Sequence, residues 1–93
     1  MNDKLRKKAY GMMKSIESMS EEEKKKNMPS ESFGENYNSL HDLVVENNPD
    51  MEPLMPPKAE FGDYGWHNAK DIKTSHRYSE IHSFCSEIYQ LLG

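Results

Sequence analysis

The sequence predicts an all-α domain: a small bundle of three to four helices at about 2–19, 21–27, 35–47 and 74–92, with a long Pro- and aromatic-rich loop at 49–73. Three observations lead there. Apolar residues recur at spacings of three and four near both ends of the chain, the period of a helix that buries one stripe. Polar capping patterns stand where helical stretches begin. Pro49, Pro53, Pro56 and Pro57 fall close together and interrupt helical periodicity between the third and last stretches.

In the first stretch Leu5, Ala9, Met12, Ile16 and Met19 form one stripe, and Met13 widens it. Gly11 lies within it and costs about 1 kcal/mol relative to Ala. Ser20-Glu21-Glu22-Glu23 is a capping-box pattern in which the Ser20 hydroxyl serves the backbone N–H of residue 23. Glu21–Lys25 and Glu22–Lys26 then stand at i,i+4 with the acid first. Met28-Pro29 ends this short helix, because a residue preceding proline avoids the helical region. Ser32 and Glu35 form a weaker capping pair for a third helix, whose apolar face is Tyr37, Leu40, Leu43 and Val44. Asn47-Asn48-Pro49-Asp50 stops it.

The loop at 49–73 carries Leu54, Met55, Phe61, Tyr64, Trp66 and His67, and Gly62 and Gly65 allow a short hairpin there. Its prolines argue for extended or turn geometry. The last helix is the clearest element: Tyr78, Ile81, Cys85, Ile88 and Leu92 form its stripe, flanked by Phe84, Leu91 and Tyr89, with Ser79, Glu80, Ser83, Ser86, Glu87 and Gln90 opposite. Stripes of this kind suit two antiparallel helices packed together, or a helix packed on a second copy of the chain.

Composition sets limits on function. The chain of 93 residues is one domain (1–93), and at 34% hydrophobic and 30% charged residues its core is thin. Self-association is one way to complete such a core. A single cysteine, Cys85, rules out an intrachain disulfide and, with no secretory pattern at the N-terminus and no apolar run of membrane length, points to the cytoplasm. Net charge is −4, unevenly spread: residues 1–26 hold eight bases against five acids, and residues 27–93 hold four against eleven. These charges either attract each other within the fold, coat solvated faces, or serve head-to-tail association or a basic partner.

The residues do not assemble a recognisable reaction centre. Cys85 has His82 three positions before it but sits mid-stripe, where it reads as a small buried hydrophobe. His41, His67, His76, His82 and Cys85 lack the spacing of a zinc site. Glu46, Asp50 and Glu52, and likewise Glu60 and Asp63, read as solvated loop carboxylates. There is no phosphate-binding glycine loop and no serine elbow. The basic N-terminal cluster is interrupted by Glu17 and Glu21–Glu23, which argues against nucleic acid as the partner.

The expectation is a non-enzymatic interaction or oligomerisation module without cofactor or metal. Its contacts would be the loop residues Leu54, Met55, Phe61, Tyr64 and Trp66 and the stripe residues Tyr78, Ile81, Ile88 and Leu92. Two alternatives stand beside it. One is a binder of a small anionic or nucleotide-like ligand, through Tyr64, Trp66, His67, Lys73 and Arg77. The other is a small acidic inhibitor of a larger enzyme.

Overall fold

A computed structural model describes residues 2–63 and 72–93 of the chain, with the side chain of Asp63 left aside. In chain order the elements are α1 (Asn2–Glu17), α2 (Glu21–Lys26), α3 (Glu31–Asn47), a 3-10 turn (Pro49–Leu54), β1 (Phe61–Asp63), β2 (Ile72–Thr74) and α4 (Tyr78–Leu92). The expected small helical bundle is the observed architecture, with a two-stranded hairpin added to it.

The largest contact in the fold is between α1 and α4. They run antiparallel: Arg6 meets Tyr89 and Gly93, Tyr10 meets Tyr89, and Glu17 meets His82. Leu5, Ala9 and Ile16 from α1 and Ile81, Cys85 and Ile88 from α4 are buried in one core, joined by Tyr37, Leu40 and Val44 from α3. Met12, Met13, Tyr78, Phe84 and Leu92 pack partly buried around it. The stripes read from the sequence therefore mate with each other inside one chain.

Local chemistry sets the helix starts. Ser20 caps α2, its hydroxyl accepting from the Glu23 N–H at 3.2 Å. Lys26 pairs with Glu22 at i,i+4, whereas Glu21 pairs with Lys24 at i,i+3 rather than with Lys25. α3 starts four residues earlier than expected because Ser30, not Ser32, is the cap, its hydroxyl accepting from the Phe33 N–H at 3.4 Å. Leu43, expected on the apolar face of α3, is instead 39% exposed. α4 starts at Tyr78 rather than at 74, because residues 72–74 are taken by β2. There the Arg77 N–H donates to Glu80 Oε1 at 3.3 Å, the backward half of a capping box.

The segment 49–63 is more ordered than its prolines suggested. Pro49 occupies the start of the 3-10 turn, where its missing N–H costs nothing. The Met51 N–H donates to the Asn48 carbonyl at 2.9 Å, so a turn with three-residue bonds survives where an α-helix would not. Beyond it, α3 holds residues 56–59 as a strap. The Tyr37 hydroxyl donates to the Pro57 carbonyl at 2.7 Å. His41 Nε2 donates to the Pro56 carbonyl at 2.8 Å. The Asn38 amide makes a two-bond clamp on Ala59, donating to its carbonyl at 3.0 Å and accepting from its N–H at 2.7 Å.

β1 and β2 pair antiparallel, Phe61 opposite Thr74 and Asp63 opposite Ile72. The hairpin docks on the start of α3: the Thr74 N–H donates to the Pro29 carbonyl at 2.9 Å, and Ser30 bridges to Lys73. This docking explains a glycine inside α3. A Cβ on Gly34 would lie 2.6 Å from Thr74 Oγ1 and 2.7 Å from a Phe61 ring carbon. Only glycine lets the hairpin sit that close.

Candidate interaction surfaces

Cys85 is sealed, and His41, His76 and His82 each have a bonding partner. Cys85 is fully buried, and that burial pushes its thiol pKa up to about 12. A thiol held protonated is a poor nucleophile. His82, its neighbour on α4, bonds instead to Glu17 Oε2 at 2.9 Å across the α1–α4 contact. His82 and Lys14 together hold the Glu17 carboxyl below the usual range. His76 Nδ1 lies 3.0 Å from Glu80 Oε2, and this bond holds the Glu80 carboxyl down as well. His41 is spent on the strap. Among the described residues no group of three or more His, Cys, Asp or Glu is placed to hold a metal ion.

The expected contact residues separate into three sets. Ile81 and Ile88 are fully buried in the chain's own core, and Tyr78 and Leu92 are partly buried against it. Tyr78 stacks edge-on with Phe33 at 5.4 Å. The last-helix stripe is thus consumed by folding and leaves no free face at Ile81 and Ile88. Tyr64, Trp66 and His67 lie outside the described residues. Leu54, Met55, Phe61, Lys73 and Arg77 are described. Met55 packs on the core, and Phe61, although 41% exposed, lies over Gly34. Lys73 is half-buried in β2, and Arg77 is exposed at the start of α4. Leu54 stands out: it is 64% exposed at the end of the 3-10 turn.

Leu54 forms one wall of a groove of about 250 Å³ whose other lining residues, Glu87, Gln90 and Leu91, come from α4. The 3-10 turn brings Leu54 there because α3 ends at Asn47, capped by Asn48, and the chain turns at once at Pro49. One carboxylate lines the groove and others lie on the elements that form it or lead into it. Glu87 lines it, and Asp50 and Glu52 lie on the same turn as Leu54. Glu46, on the last turn of α3, is exposed, as is Leu43. None of Glu46, Asp50, Glu52 or Glu87 forms an ion pair among the described residues.

A second surface lies on α1, where the sequence reading placed no site. Asp3, Arg6, Lys7, Tyr10 and Tyr89 line a cleft of about 400 Å³. The Arg6 guanidinium lies 4.1 Å over the Tyr89 ring, and Tyr10 and Tyr89 have ring centroids 5.8 Å apart. Tyr10 is 46% exposed, with Lys14 Nζ 5.3 Å from its ring centroid. The signal was present as Arg6, Lys7 and Tyr10 at i, i+1 and i+4, but its partner Tyr89 is far away in sequence.

Among the described residues, no Lys or Arg of residues 1–26 pairs with an acid of residues 27–93. Lys14, Lys24 and Lys26 pair with acids three or four residues away in their own segment, and Lys58 pairs with Asp42. Lys4, Lys7 and Lys8 are exposed and form no ion pair among the described residues. Among the described residues no helix is long and apolar enough to cross a membrane. Compared with protein-family models, curated proteins and solved structures, the chain matches none.

Proposed function

We propose that the chain is a non-enzymatic protein-interaction module that receives its partner on the acid-rimmed groove between the 3-10 turn and α4. The observation that carries this reading is Leu54, at 64% the most exposed large apolar side chain among the described residues, standing at the wall of a groove while Ile81, Cys85 and Ile88 of the neighbouring helix are buried. The sealed thiol of Cys85 and the structural bonds of His41, His76 and His82 support a binding role over a catalytic one. A lone protonated thiol suits a reducing compartment, and the cytoplasm is the proposed location. The acidic rim favours a partner with basic residues around an apolar anchor, which a larger enzyme inhibited by this chain would also have to offer.

The test is affinity capture with the wild-type chain and with Leu54→Asp as baits. One partner recovered stoichiometrically by the first and lost by the second is the expected result. Capture that ignores the substitution, or no capture and no self-association at all, sinks the reading.

A second reading is favoured by the cleft on α1. Arg6, Lys7, Tyr10 and Tyr89 offer cations beside aromatic faces, the chemistry that holds a planar anion. This places a small-ligand role on α1 and α4, apart from the loop set of Tyr64, Trp66, His67, Lys73 and Arg77, of which Tyr64, Trp66 and His67 lie outside the described residues. Titration with aromatic carboxylates and nucleotides, read by chemical shifts of the Tyr10 and Tyr89 rings, tests it; unmoved rings across the panel dismiss it.

A further inference from the structure

We infer that the occupant of the Leu54–Leu91 groove is the basic ridge of α1 from a second copy of this chain, with Tyr10 as its anchor. The inference deepens the interaction-module reading and rests on it.

Two surfaces of the same molecule complement each other. The groove is apolar at Leu54 and Leu91 and negative at Glu87, with Asp50 and Glu52 on the adjoining turn. The ridge offers an aromatic ring 46% exposed at Tyr10, with Lys7 one turn before it and Lys14 one turn after. Tyrosine is a favoured anchor at protein interfaces, because it covers a large area at little conformational cost. Lys7 on the ridge, Glu87 at the groove and Asp50 and Glu52 on its turn have no ion pair among the described residues, so a contact through Lys7 breaks none, whereas Lys14 is held by Glu17 at 3.1 Å. Within one molecule the two surfaces do not meet. Tyr10 packs on Tyr89, whereas the groove uses Glu87 and Leu91, each two residues away and so on the opposite side of α4.

A contact between two different surfaces is heterologous: each copy offers its ridge to one neighbour and its groove to another. Such assembly grows into a ring or an open chain. Its attraction is carried largely by exposed charges, so it weakens with salt.

The experiment is sedimentation velocity on the full chain and on two double variants. One spoils the groove (Leu54→Asp with Glu87→Lys) and the other the ridge (Lys7→Glu with Tyr10→Ser). Wild-type mass is expected to rise with concentration at low salt and to fall back at high salt. Each variant alone is expected to associate about ten-fold more weakly or worse, corresponding to roughly 1.4 kcal/mol. An equimolar mixture is expected to form a dimer and nothing larger, because one good ridge meets one good groove. A wild type of single-chain mass at every concentration overturns the inference. So does a variant that associates by itself as tightly as the wild type, or a mixture that stays monomeric while both variants are folded by circular dichroism. If a double variant fails to fold, Glu87→Gln and Lys7→Gln, both at exposed positions, repeat the mixture test by charge alone. A monomeric wild type that still captures another protein through Leu54 removes this inference and leaves the interaction-module reading intact.

Discussion

Cys85 shows how far one side chain can be read in isolation. Its place in the middle of the α4 stripe made it a core residue on paper, and it is fully buried. Burial pushes the thiol up to about 12, whereas in the unfolded chain it ionises near its ordinary value of 9.0. A folded pKa above the unfolded one means that stability is intact below pH 9 and lost as pH rises from there toward 12. The Tyr37 phenol, desolvated in the same core, is raised too and pulls the same way. The urea midpoint is therefore expected to fall between neutral pH and the alkaline range, and to fall less steeply in Cys85→Ala. Alkylation of the native thiol is expected to be at least about a thousand-fold slower than in denaturant, since reaction waits for opening. A native thiol that labels at the denatured rate would show that α4 does not bury it. Leu43 was misread at the same scale. Its spacing allowed a place on the buried face of α3, but periodicity resolves a face only to within about a residue, and nothing in the sequence said where the neighbouring helices end.

At the scale of the element, the two helical glycines make opposite predictions for the same change. A Cβ on Gly11 meets nothing within 4 Å, so Gly11→Ala is expected to add about 1 kcal/mol, or several degrees in melting temperature. A Cβ on Gly34 runs into Thr74 and Phe61, so Gly34→Ala is expected to cost about 1–3 kcal/mol despite the better helix former. Thermal melts of the pair check both signs. Asn38→Ala removes both bonds to Ala59 and is expected to cost about 1–3 kcal/mol, with faster proteolysis of the 56–59 strap. Unchanged cleavage would mean that the strap is held by Tyr37 and His41 alone. The helices were legible because stripe and cap are local signals. The hairpin was visible as a possibility at Gly62, but the strap and the hairpin's docking on α3 were not: Asn38 clamps Ala59 and Gly34 admits Thr74 across long stretches of chain, and no window of neighbouring residues contains both partners. Ser30 was passed over as the cap of α3 for the same reason, since the choice between two serines depends on where β2 docks.

For the whole molecule, the antiparallel pairing of α1 and α4 was one of two arrangements the stripes allowed, and it decided the rest. It used up the α4 stripe offered as a binding surface, and it left outside the core the features that composition hinted at but could not locate. The sign imbalance between the two parts of the chain was plain in the sequence. Its distribution as a basic ridge on α1 and a groove at Leu54 lined by Glu87 was not, because the groove joins residue 54 to residues 87–91. Of the site residues expected in the loop, Leu54 carries the functional reading, and the cleft at Tyr10 and Tyr89 was found only through the fold.

The same pairing has a cost during synthesis. On a ribosome α1 emerges long before its mate, and for roughly 3–15 s at ordinary elongation rates its Leu5–Ile16 stripe has no α4 to lie against. A nascent chain stalled before Tyr78 is therefore expected to engage chaperones and to be cut readily within α1, while one stalled long enough after Leu92 for α4 to clear the exit tunnel is not.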